Sequence, residues 1–155
     1  MKYKSSKGQK RKYMTINLEQ IKQFIDKRKI AFITSIDNEG FPNIKCMLRP
    51  RKIEGLKTYY FSTNTSSIRV QQYRKNPKAS IYFYRKGLYK YQGVMLKGTM
   101  EVLETDEIKK ELWQFGDKMF YPKGATDPDY CILKFTATSG RYYCDLETEN
   151  FEIEN

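Results

Sequence analysis

The sequence predicts a mostly β fold with helices, a small antiparallel β-barrel with α-helices at its ends. Two patterns support this class. Six or more short runs rich in β-branched and aromatic residues are separated by turn residues, with three helical segments between them. Gly93 and Gly98 fall inside apolar runs, where they mark bulges or close backbone approach as a sheet bends. The 13 tyrosines and 9 phenylalanines suit pleated surfaces, and 155 residues suit one domain. Residues 15–146 are expected to form it, with a basic tail over 1–14 and an acidic tail over 147–155.

In chain order, Asn17 caps a first helix, with Gln20 three positions on as in a capping box. Leu18, Ile21, Phe24 and Ile25 form its apolar face. Ile30–Ile36 is a strand, Asp37-Asn38-Glu39-Gly40 a turn, and Phe41–Leu48 the hairpin partner. Arg49-Pro50-Arg51-Lys52 reads as a basic strand end, and Glu54-Gly55 turns into a strand over Thr58–Phe61. Ala79–Tyr84 is a strand, and Leu88–Leu103 holds two apolar stretches. The alternation of Tyr82, Tyr84, Tyr89 and Tyr91 places these rings on one face of a barrel. Thr105 caps a helix with Asp106 and Glu107 in its first turn and Ile108, Leu112 and Phe115 on its buried face. Pro122–Pro128 is a loop, Tyr130–Thr136 a core strand, and Arg141–Leu146 suits a further strand.

Composition excludes several function classes. The chain has no histidine, which removes Ser-His-Asp and Cys-His catalysis and histidine metal sites. Cys46, Cys131 and Cys144 are odd in number and show no CxxC spacing, as expected of free thiols in a reducing, cytoplasmic compartment. No uninterrupted apolar run approaches membrane-spanning length. The net charge of +11 points to an anionic partner. Much of the excess sits in Lys2, Lys4, Lys7, Lys10, Arg11 and Lys12, away from the expected fold.

The segment from Thr58 to Tyr84 carries the chemistry. A strand is followed by the hydroxyl and amide run Ser62-Thr63-Asn64-Thr65-Ser66-Ser67, then by a helix that ends at Asn76-Pro77. Thr65 or Ser66 suits the cap of that helix. A helix start offers unpaired N–H groups and a positive dipole end, and Arg69 adds a guanidinium fork in the first turn. Together these make a phosphate cradle without a glycine-rich loop, although a capped helix with an exposed arginine has the same pattern.

The order of ITSIDNEGFPNIKCM, YYFSTNTSSIRVQQYRKNPKASIYFY, VMLKGTMEVL and LWQFGDKMFYPKGATDPDYCILKF resembles the pyridoxamine 5'-phosphate oxidase-like split barrels, in their general stress protein branch. The resemblance covers about Ile21 to Tyr143. It implies an antiparallel, Greek-key split barrel that binds flavin mononucleotide (FMN) at a homodimer interface. It places Ser67 and Arg69 at the FMN phosphate, with Thr63 and Ser66 nearby, and turns Ser62 and Thr63 to the ring and ribityl chain. Lys45, Cys46 and Met47 match a segment alongside the ring, often Arg-Pro-Met in this branch, so Cys46 departs from a proline. Gln92 matches a polar residue that reaches the flavin from the second subunit, and Trp113 a tryptophan of the branch.

The resulting expectation is a homodimeric FMN flavoprotein, an oxidoreductase passing electrons between FMN and a small substrate or nicotinamide cofactor. It is not a true pyridoxamine phosphate oxidase, because that pattern includes a histidine for the substrate phosphate. Two alternatives stand behind it. One is a basic barrel binding single-stranded nucleic acid through Lys86, Tyr89, Lys90, Tyr91 and Lys97. The other is a split barrel for haem or a deazaflavin.

Overall fold

The computed structural model describes residues 17–88 and 90–154. Helix α1 (Leu18–Asp26) opens on Asn17, whose side chain accepts from the Glu19 and Gln20 backbone N–H groups. Its Ile21 and Ile25 are buried, while Leu18 stays exposed. Strands β1 (Ile30–Ile36) and β2 (Pro42–Leu48) form the expected hairpin, with Ile30 opposite Leu48. Gly40, at φ 86°, supplies the left-handed turn residue between them. There follow β3 (Lys52–Glu54), β4 (Thr58–Asn64), α2 (Ile68–Lys75), β5 (Lys78–Lys86) and β6 (Tyr91–Leu103). The chain ends with α3 (Asp106–Glu111), a 3-10 turn over Phe115–Met119, β7 (Tyr130–Cys144) and β8 (Glu147–Glu152).

These strands make one eight-stranded antiparallel sheet in the order β2-β1-β5-β6-β7-β4-β3, with β8 added on β7. This is the split-barrel architecture the sequence predicts. The sheet curls around a core that includes Tyr59, Phe61, Ile81, Phe83, Leu96 and Phe135. A smaller cluster of Tyr60, Leu112, Tyr121, Tyr130 and Ile132 packs outside it. Helix α2 is tied to β1 by Ser35 Oγ to Gln72 Oε1 at 2.6 Å and by Tyr73 OH to the Thr34 carbonyl at 2.9 Å. Gly98 sits where the β6–β7 register shifts, and a Cβ there would collide with the Thr136 carbonyl oxygen. The bulge expected at this glycine is present.

Three expectations are corrected. Residues 130–144 form one strand rather than two, because β6 pairs along almost the whole of β7. The acidic end is not a tail through Glu152. Strand β4 covers only Tyr130–Thr136 of β7, and β8 fills the remaining edge from Ser139 to Cys144. Phe151 anchors β8 in the core at 8% exposure, over Gly140, where a Cβ would strike its ring. The third helix stops at Glu111 and leaves Phe115 at 95% exposure, because Asp117 Oδ2 accepts the Gln114 N–H at 2.9 Å and starts a separate turn. The expected basic tail over 1–14 and Tyr89 lie outside the described residues.

Substituting Phe151→Ala is expected to lower the unfolding free energy by about 3 kcal/mol. Urea denaturation checks this, and a wild-type midpoint would return residues 147–152 to the status of a tail.

Candidate functional site

The path through the sheet begins at β2 and finishes at β3, so the barrel is open between these ends. The chain crosses that opening in three residues, Arg49-Pro50-Arg51. A cleft of about 900 Å³ lies there. Lys45, Cys46 and Met47 reach it from β2, Ser62 and Thr63 from β4, and Arg69 from α2. Six of the residues singled out in the sequence therefore share one cavity.

The other four lie elsewhere. Ser67 caps α2 without a side-chain cap bond, displacing the expected Thr65 or Ser66. Its Oγ is buried with no hydrogen-bond partner, as is Arg69 Nε. Ser66 is turned to Asp129, whose Oδ1 accepts its backbone N–H at 2.8 Å, and Asn64 Nδ2 donates to the other carboxylate oxygen at 2.9 Å. A carboxylate thus holds the chain just before α2. Gln92 donates to the Tyr142 hydroxyl at 2.9 Å, away from the cleft of its own chain. Trp113 packs edge-on against Tyr130 at 5.2 Å and does not line the cleft.

The structure adds residues that sequence reasoning missed. Lys29 and Arg49 line the cleft together, tied by the Arg49 N–H to the Lys29 carbonyl at 2.8 Å. Arg51 donates through Nε to Ser62 Oγ at 3.0 Å and forms an ion pair with Asp117 through Nη2. The only sequence signal was the density of basic residues over 49–52, read as a strand end. Asp117 gave none, because its partner is 66 residues away. Tyr121 also lines the cleft, its hydroxyl pushed up to about 12, chiefly by burial, so it stays protonated.

Charge is lopsided here. Among the described residues Asp117 is the one carboxylate lining the cleft, and Arg51 already pairs with it. Lys29, Lys45, Arg49 and Arg69 have no ion-pair partner among the described residues. A cleft of unpaired cations, hydroxyls and amides suits an anionic ligand rich in acceptors.

Sequence comparison agrees with this architecture, matching residues 18–144 to the pyridoxamine 5'-phosphate oxidase family. The chain belongs to that family. Among solved structures, it is 39% identical to a Clostridium acetobutylicum protein related to general stress protein 26 of Bacillus subtilis. That match covers 88% of this chain and 94% of the other, with a TM-score of 0.77. General stress protein 26 of Bacillus anthracis shares the fold at 18% identity and a TM-score of 0.71, over 88% of this chain and 98% of its own. A heme binding protein of Mycobacterium smegmatis shares it at 13% identity and 0.69, over 87% of this chain and 57% of its own. A comparison with curated sequences returns no match. No helix among the described residues is long and apolar enough to cross a membrane.

Hydrogen bonds from Asn64 and then Ser66 hold the Asp129 carboxyl below the usual carboxylate range. A folded-state pKa below the unfolded one contributes stability that is full above about pH 4 and is lost as pH falls through the folded value. The stability gap between wild type and Asp129→Ala is therefore expected to be widest near neutrality and to narrow as pH falls below the ordinary carboxylate range. Urea titrations across that range check it, and a gap independent of pH would remove the carboxylate from this role.

Proposed function

We propose that the protein is a flavoprotein that binds FMN in the cleft between β2 and β4. The observation that carries this reading is the pairing of Arg69 with Thr63 on the cleft wall, beside Ser67, the residue that caps the start of α2. Arg69 Nη2 donates to Thr63 Oγ1 at 3.3 Å, while Ser67 Oγ and Arg69 Nε are buried and unpartnered. Buried polar atoms without partners are rare in native proteins, and a phosphate dianion accepts from both. The residues fit the group in other respects. Phe61, Met47 and Leu48 supply apolar wall for a ring, and Lys45 supplies a cation on the β2 side. A cation beside the flavin favours its reduced, anionic form.

Bound FMN would carry the redox chemistry, exchanging electrons with a small substrate or a nicotinamide cofactor. The protein then needs no nucleophile or histidine base of its own. Its residues hold the phosphate, flank the ring and leave one side open.

The second subunit belongs to the same proposal. The outer face of β2, β1, β5 and β6 carries an apolar hollow of about 570 Å³ lined by Phe32, Ile44, Tyr82, Tyr84, Tyr91 and Met95. Ile44, Tyr84 and Tyr91 are exposed there, and Gln92 follows directly on β6. A second copy of the chain would cover this face and bring Gln92 towards the partner's cleft.

Titration of the purified protein with FMN, followed by flavin fluorescence, tests the cofactor. Arg69→Glu is expected to weaken binding by about two orders of magnitude, because it replaces the paired cation with a like charge. Unchanged affinity would remove the phosphate assignment. Haem is the control ligand, and saturable haem binding without FMN binding would replace the cofactor. Tyr84→Lys is expected to shift the protein from dimer to monomer in light scattering, since it buries a charge in an apolar contact.

A further inference from the structure

Two guanidinium groups in the cleft are bonded to hydroxyls, and in both bonds the hydroxyl accepts. Arg51 Nε donates to Ser62 Oγ at 3.0 Å, and Arg69 Nη2 donates to Thr63 Oγ1 at 3.3 Å. A hydroxyl has one proton, and accepting from a cation leaves that proton for another partner. Among the described residues nothing accepts the Ser62 proton, and Ser62 lines the cleft.

Arg51 is itself held on both sides. Its side chain is 14% exposed and that of its ion-pair partner Asp117 is 7% exposed. The second Asp117 oxygen accepts the Gln114 N–H at 2.9 Å, and the Arg51 backbone N–H donates to the Tyr60 carbonyl at 2.7 Å. Bonded at backbone, Nε and Nη2, the guanidinium stays on the cleft wall and does not swing to a ligand. Ser62, Gln114 and Asp117 all line the same cleft, so this one residue joins β4 to the 3-10 turn across it.

We propose that Arg51 is a positioning residue: fixed by Asp117, it sets the Ser62 hydroxyl as a hydrogen-bond donor into the cleft, facing an acceptor of the bound ligand. This rests on the reading of the cleft as an FMN site and names the polarity of that site at Ser62. The ligand presents a carbonyl, an unprotonated ring nitrogen or an oxyanion at this point. The neighbouring guanidinium strengthens the donor by polarising the hydroxyl. Without Arg51 the hydroxyl rotates freely, and its advantage for the ligand falls to that of a mobile group.

A double-mutant cycle read by FMN titration tests this. Ser62→Ala and Arg51→Met are each expected to weaken FMN binding about tenfold. The double variant is expected to lose no more than the larger single, because a hydroxyl that is not set and one that is absent are equivalent. Both single variants are also expected to shift the bound flavin absorption band in the same direction. Additive losses, or a band shift in Ser62→Ala that Arg51→Met does not share, would overturn the proposal while leaving the FMN site intact. If Arg51→Met does not fold by circular dichroism, Asp117→Asn takes its place in the cycle with the same expectation. A wild-type protein that takes up no FMN would instead refute the cofactor reading, and this one with it.

Discussion

A sheet that curls towards closure without completing it is the constraint from which the site follows. Among the described residues strand β2 pairs only with β1 and β3 only with β4, so the ends of the sheet path leave an opening. Open strand edges expose backbone donors and acceptors that need partners. Here the chain crosses the opening through Arg49-Pro50-Arg51, and Arg51 fixes the crossing to β4 and to the turn that holds Asp117. Polar side chains line this opening beside Phe61 and Met47 at the edge of the core.

The electrostatics of that gap differ from those of the rest of the surface. Lys52 pairs with both Glu54 and Glu111, and Arg74 with Glu104, at side-chain exposures of 40% or more. Such pairs add little to stability. In the cleft, by contrast, Lys29, Lys45, Arg49 and Arg69 line one cavity with no ion-pair partner among the described residues. Clustered cations repel, so this arrangement does not stabilise the fold and suits an anionic ligand. Arg51 is the exception that fits the pattern. Its buried charge is paired and hydrogen-bonded, as a buried guanidinium must be.

Local chemistry was most legible where neighbours in sequence are neighbours in space. Asn17 caps α1, Gly40 makes the hairpin turn, and Asn76-Pro77 ends α2 because each acts on backbone within a few residues. Ser62, Thr63 and Arg69 were legible as a group for the same reason, being one strand end and the helix that follows. Reading failed where charge pattern stood in for topology. The acidic segment 147–152 looks like a solvated tail, yet the uncovered half of β7 and the pocket over Gly140 draw it in as β8. Phe115 fits a helical face by spacing, but Asp117 stops the helix from reaching it.

By itself the sequence determined the period-2 strands, the glycine at the β6 bulge and the hydroxyl run before α2, because these depend on side-chain shape and local hydrogen bonding. The tertiary structure alone decided that β2 and β4 face each other across one cleft, that Arg51 meets Ser62 and Asp117, and that the Ser66 N–H meets Asp129. Those contacts join segments 11 to 66 residues apart. Their partners are selected by the curvature and register of the whole sheet, which no local pattern encodes.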